Sequence, residues 1–164
     1  MFTATSTTLQ DLPTSTSQPK QSDVVETRLW LDEHDWLYGL LRNEANVSPT
    51  FRFPDLISAS VSLVFTRDDA ALRIFRFLGA ELVLRPAQTA RRRESMWRAQ
   101  YELLLALQRS PANRHPNPKF QLDQLTTACV ALSCQADASG GAVLRQARVN
   151  MARRAAQGTA APPN

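Results

Sequence analysis

Two stretches of this chain carry the same apolar register, and that repetition limits what it can fold into. Phe51-Arg52-Phe53-Pro54-Asp55-Leu56-Ile57-Ser58-Ala59-Ser60-Val61-Ser62-Leu63 aligns with Phe120-Gln121-Leu122-Asp123-Gln124-Leu125-Thr126-Thr127-Ala128-Cys129-Val130-Ala131-Leu132. Phe, Leu, Ala, Val and Leu recur at the same spacing. Upstream, Trp36–Arg42 resembles Glu102–Gln108, with a longer loop in the second copy. Each copy reads helix, turn, helix behind a candidate strand, so a duplicated supersecondary unit is expected.

The first strand is expected near 25–31. Val25, Thr27, Leu29 and Leu31 alternate with Glu26, Arg28 and Trp30, which gives one apolar face. Asp32 is a natural N-cap for a helix to about Ala45, with Trp36, Leu37, Leu40 and Leu41 as its apolar stripe. Pro54 opens a second helix. A third, linking helix spans about 67–78 and stops at Gly79. Glu81–Arg85 alternates and predicts the second strand, with Leu82 and Leu84 inward and Glu81, Val83 and Arg85 outward. A long basic helix follows, from Gln88 to Arg109. An alternative register puts the second strand at Arg93–Trp97. It matches the repeat offset, but Arg, Glu, Ser and Met favour helix there. The last strong helix is expected over Leu122–Ser133. Trp36, Leu40, Leu56, Val61, Leu104, Leu107, Leu125 and Val130 are the expected core.

The ends differ from the middle. Residues 1–22 are rich in Ser, Thr, Gln and Pro and are expected to be disordered. Residues 140–164 read as a Gly-led, basic, flexible tail containing a short helix. The ordered domain is therefore 23–139, with copy one at about 24–65 and copy two at about 80–134.

Charge is distributed unevenly. Residues 23–79 hold nine acids and six bases, whereas 80–140 hold eight bases and five acids, and 141–164 hold four arginines and no acid. Only two lysines occur in the chain, so the basic charge is arginine, whose planar fork suits phosphate oxygens and guanine edges. Arg91-Arg92-Arg93 with Arg98 is the densest cluster.

Catalytic signatures are missing from the sequence. There is no Gly-rich phosphate loop or G-x-S-x-G elbow, and His34 and His115 lack partners at metal-ligand spacing. Cys129 and Cys134 fall in an apolar helical stretch and read as reduced. No apolar run approaches the ~18 residues that span a membrane, and no secretory signal is legible. The expectation is a cytoplasmic, non-enzymatic protein with no cofactor, metal or small-molecule substrate.

Leu31-Asp32-Glu33-His34-Asp35-Trp36-Leu37 through Asp55-Leu56-Ile57-Ser58-Ala59-Ser60-Val61 resembles the ribbon-helix-helix pattern: alternating strand, acidic helix start, turn, then a helix opening with an acid, Leu and Ile. Two copies in one chain resemble the single-chain members of that superfamily, the TraY-like conjugation proteins and VirC-type accessory proteins of T-DNA borders. The resemblance implies a mainly α fold with a small two-stranded antiparallel ribbon, arranged as a pseudo-twofold tandem unit in a monomer. It implies that the ribbon reads double-stranded DNA in the major groove. Arg28, Trp30, Val83 and Arg85 are then the outward ribbon residues. Arg52 and Lys119 reinforce phosphate contacts at the second-helix starts, and Arg91, Arg92 and Arg93 contact flanking phosphates. The implied role is an accessory in plasmid or T-DNA transfer or maintenance, beside a relaxase or a ParA-like partition ATPase. Two alternatives stand: a transcriptional repressor of the same fold, and a helical adaptor for a secretion or partition partner that does not bind DNA.

Overall fold

The computed structural model describes residues 23–113 and 119–159. The predicted disordered segment 1–22, His115 and the last five residues lie outside that description. Among the described residues the chain forms six α-helices and one two-stranded antiparallel sheet. The strands are β1 (Val24–Trp30) and β2 (Arg91–Trp97). The helices are α1 (Leu31–Leu41), α2 (Phe53–Phe65), α3 (Ala70–Ala80), α4 (Arg98–Arg109), α5 (Leu122–Ala136) and α6 (Gly141–Thr159).

β1 follows the predicted alternation, and Thr27 and Leu29 are buried. α1 begins at Leu31 with no break, so Asp32 and Glu33 sit in its first turn and Trp30 takes the N-cap position. The acids there favour the helix dipole.

The second strand is not Glu81–Arg85. α3 runs through Ala80, and Leu82–Leu84 then coils into a 3-10 turn. Only Leu82 reaches the core, while Leu84 is 81% exposed, so the alternating pattern has no second apolar contact to make. The strand is Arg91–Trp97, the register matching the repeat offset. Its helix-favouring composition is overridden by the ladder with β1, which runs from Val24↔Trp97 to Trp30↔Arg91. The predicted helix 88–109 therefore begins only at Arg98.

Positions that align in the two similar segments make similar contacts. The N–H of Leu31 donates to the Ala90 carbonyl at 2.9 Å, and that of Arg98 donates to the Asp23 carbonyl at 2.7 Å, sealing both ends of the ribbon. The N–H of Trp30 donates to Thr127 Oγ1 at 3.2 Å, and that of Trp97 to Ser58 Oγ at 2.8 Å. β1 thus leans on α5, and β2 on α2. Asn46 Nδ2 donates to the carbonyls of Leu41 and Phe51, and Asn113 Nδ2 donates to those of Gln108 and Phe120. These two asparagines tie each helix-helix loop to its flanking backbone.

α2 and α5 form the middle of the molecule. Leu56–Val61 and Leu125–Ser133 are buried without interruption. Small side chains (Ser58, Ala59, Ser60, Thr127, Ala128) let these helices be covered on every side. Of the predicted core, Leu40, Leu56, Val61, Leu104, Leu107, Leu125 and Val130 belong to one buried cluster, and Trp36 packs against it half-buried.

Residues 141–159, expected in a flexible tail, instead form α6, which packs along α2. Val143, Leu144, Ala147 and Asn150 are buried at helical spacing, so the segment has an inner face that its basic composition conceals. Gly140, at φ 77°, makes the turn into it, and a β-carbon there would meet the Leu40 side chain.

Candidate nucleic-acid interface

Residues facing each other across an antiparallel pair share a face. Thr27 and Leu29 are inward, so Glu26, Arg28 and Trp30 leave the opposite side, and their partners Ser95, Arg93 and Arg91 leave it with them. Glu26, Arg28, Arg91 and Arg93 are exposed on this side, so the ribbon presents three arginines against one carboxylate, while Arg92, opposite Leu29, is exposed at the edge of the other face. Arg93 Nε pairs with Glu26 at 3.2 Å.

The starts of α2 and α5 flank this surface. Asp55 in α2 accepts from Trp97 Nε1 at 2.9 Å, beside one end of the ribbon, and Asp123 in α5 pairs with Arg91 at 3.1 Å, beside the other. The side chains of Asp55 and Gln124 reach back to the N–H groups of Arg52 and Gln121. The Arg52 and Lys119 side chains are both exposed at these starts.

Three expected contacts are not on the interface. Trp30 is only 4% exposed, because Arg91 of β2 stacks on the ring at 4.6 Å and Arg85, just after the 3-10 turn, lies over it at 5.9 Å. Arg85 is not outward on a strand. It forms a bidentate pair with Glu33 at 2.7 and 2.6 Å, and Glu33 is 6% exposed. The hydrogen bond to Glu33 raises the Arg85 pKa further, against the opposing effect of burial. Val83 is exposed, but on the 3-10 turn and off the ribbon.

Ser95 and Trp97 belong to the outward face and were not legible while 88–109 read as helix. Trp97 carries the counterpart of the Trp30 arrangement. Arg154 of α6 stacks over its ring at 3.9 Å and pairs with Asp55 at 3.2 Å. Burial lowers the Arg154 pKa, partly offset by Asp55.

On the inner face, Thr27 Oγ1 and Thr126 Oγ1 share a hydrogen bond at 3.0 Å. Glu94, opposite Thr27, bonds His34 Nε2 at 2.8 Å, and the His34 ring stacks on Phe53 at 4.7 Å. His34 is thereby engaged in packing. Burial pushes the pKa of Cys129 far up and that of Cys134 up as well, so both thiols stay protonated. Among the described residues, no group of three or more His, Cys, Asp or Glu is placed to hold a metal, and no helix is long and apolar enough to cross a membrane.

No protein-family model matches the chain, and no curated protein or solved structure is significantly similar to it.

Proposed function

We propose that this chain is a non-catalytic, sequence-preferring double-stranded DNA-binding protein, built as a tandem ribbon-helix-helix unit with pseudo-twofold symmetry. The observation that carries this is the ribbon itself: Arg28 and Arg93 lie opposite each other and exposed on its outward face. A two-stranded ribbon fits the ~12 Å major groove of B-DNA, and arginine there reaches guanine O6 and N7. The repeated contacts of Trp30 with Thr127 and Trp97 with Ser58 support the tandem arrangement. Fusion of the copies makes ribbon assembly intramolecular, so a monomer acts as the dimer would. The resemblance to conjugation and T-DNA border proteins points to an accessory role in DNA transfer or maintenance.

A second class of function is favoured by one observation. Leu72, Val83 and Leu84 are 58%, 50% and 81% exposed on α3 and the turn after it, which suits a protein partner. Binding of the full chain to a generic duplex, followed by fluorescence anisotropy across a salt series, separates the two. The DNA reading expects affinity to fall steeply with salt, by several units of log–log slope. No binding at low salt overturns it in favour of the adaptor.

A further inference from the structure

We propose that α6 and the start of α4 form a backbone-phosphate clamp at one end of the ribbon only, so that the protein grips the two halves of its DNA site unequally. This rests on the DNA-binding function above.

A cleft of about 510 Å³ lies between the beginning of α4 and the last turns of α6. Its walls carry Arg98, Arg153 and Arg154 against one carboxylate, Asp23. Asp23 and Trp97 also line it, and they mark the end of the ribbon where β1 starts and β2 stops. Arg153 is exposed and makes no ion pair among the described residues. Arg154 is already committed to Asp55 and to the Trp97 ring, so it fixes the end of α6 against the ribbon and leaves Arg153 beside the opening.

At the opposite end the exposed cations among the described residues include Arg92, on the other face of the ribbon opposite Leu29, and Lys119 at the start of α5, the counterpart of Arg52. There α1 starts with Asp32 and Glu33 where α4 has Ala99 and Gln100. Arg85 and Arg91 there are neutralised within the protein, by Glu33 and Asp123. The strands are seven residues long, or about 23 Å at ~3.3 Å per residue. A ribbon of that length lying along the groove sets its two ends over different halves of the site. An unpaired arginine in a cleft at one end attracts backbone phosphate, and the exposed Asp32 at the other, where α4 has Ala99, repels it.

The test compares the full-length wild type with Arg153→Ala, Arg153→Glu and Arg153→Lys. Arg76→Ala, an equal loss of charge on exposed α3, gives the general electrostatic effect. Salt-dependent affinity is measured, and phosphate-ethylation interference maps the contacts. The expectation for Arg153→Ala is roughly three- to tenfold weaker binding, with the salt slope flatter by about one unit. Arg153→Glu weakens more, Arg153→Lys recovers most, and interference is lost on one half of the site alone. Arg153→Ala matching Arg76→Ala overturns the clamp and leaves DNA binding intact. Symmetric loss on both halves overturns the asymmetry. Arg153-dependent binding of a free mononucleotide, with duplex affinity unchanged, reassigns the cleft to a small ligand and overturns the proposal. A wild type that binds no duplex overturns the DNA function, and the clamp with it.

Discussion

Arg28 and Arg93 stand directly opposite each other in the antiparallel ladder, on the side of the ribbon that faces solvent. Like charges at directly opposed positions work against sheet pairing. Glu26 offers a counter-charge to Arg93 across 3.2 Å, and both groups are more than half exposed, so the relief is small. The ribbon holds together through its inner face and its ends. The outward pair is an arrangement that folding alone does not favour and that a polyanion relieves.

Arg28→Ala should therefore separate the two kinds of DNA binding. A guanine contact is worth roughly 1–3 kcal/mol of discrimination, so affinity for a selected site should drop about five- to 150-fold. Affinity for random duplex should drop much less, and the melting temperature should hold or rise as the repulsion disappears. Parallel anisotropy titrations on selected and random duplexes check this. Equal losses on both would show that the ribbon does not read sequence.

The hydroxyls of Ser58 and Thr127 each satisfy a strand N–H and are fully buried. Ser58→Ala and Thr127→Val should strand the Trp97 and Trp30 amides. Each change should cost roughly 1–3 kcal/mol in urea denaturation. Hydrogen exchange should speed up at the corresponding tryptophan amide. Unchanged exchange in both variants would mean the strands are not held by α2 and α5.

Arg85→Met removes the partner of a nearly buried carboxylate. The loss should be about 2–3 kcal/mol, below the ~3–5 of fully buried pairs because Arg85 keeps 22% exposure. The Glu33→Met/Arg85→Met double variant should recover most of it. DNA affinity of the folded single variant should match wild type. A specific loss of DNA binding would return Arg85 to the interface.

Asp137 ties the start of α6 through the Ser139 hydroxyl and the N–H groups of Ala142 and Ser139. These bonds, the hydroxyl first, hold its pKa below the usual carboxylate range. A carboxylate with a depressed folded pKa stabilises the fold above its unfolded value of about 4, and that stabilisation fades as pH falls through the folded value. Wild type should exceed Asp137→Asn in urea midpoint at pH 6, and the gap should close toward pH 3. A constant gap would indicate that the charge on Asp137 is irrelevant to the docking of α6.

Local signals made part of this molecule legible. The alternation of β1 and the apolar stripes of α2 and α5 act through near neighbours, so sequence spacing reports them. The likeness of the two segments was visible, and its offset offered Arg93–Trp97 as the alternative to Glu81–Arg85 for the second strand. Arg-Arg-Arg-Glu-Ser-Met-Trp lacks the β-branched residues of a strand, and only its ladder with β1 makes it one. The outward placement of Arg28 followed from alternation. The fates of Trp30 and Arg85 did not, because Arg91 and Glu33, which engage them, lie far away in sequence. The inner face of α6 was hidden by its basic composition, because Arg145, Arg148 and Arg153 project outward while Arg154 continues that face onto Trp97.

Residues 31–90 intervene between the two strands of the ribbon. At ~5–20 residues per second, synthesis of those 60 residues takes roughly 3–12 s, during which β1 exists without its mate. An unpaired strand with Leu29 on its apolar side is a template for any complementary strand nearby. On a crowded polysome the complementary strand at hand is the β2 of a neighbouring nascent chain. Domain-swapped dimers, with two ribbons each shared between chains, are the characteristic misassembly this topology invites, and slow translation ahead of Arg91 should enrich them.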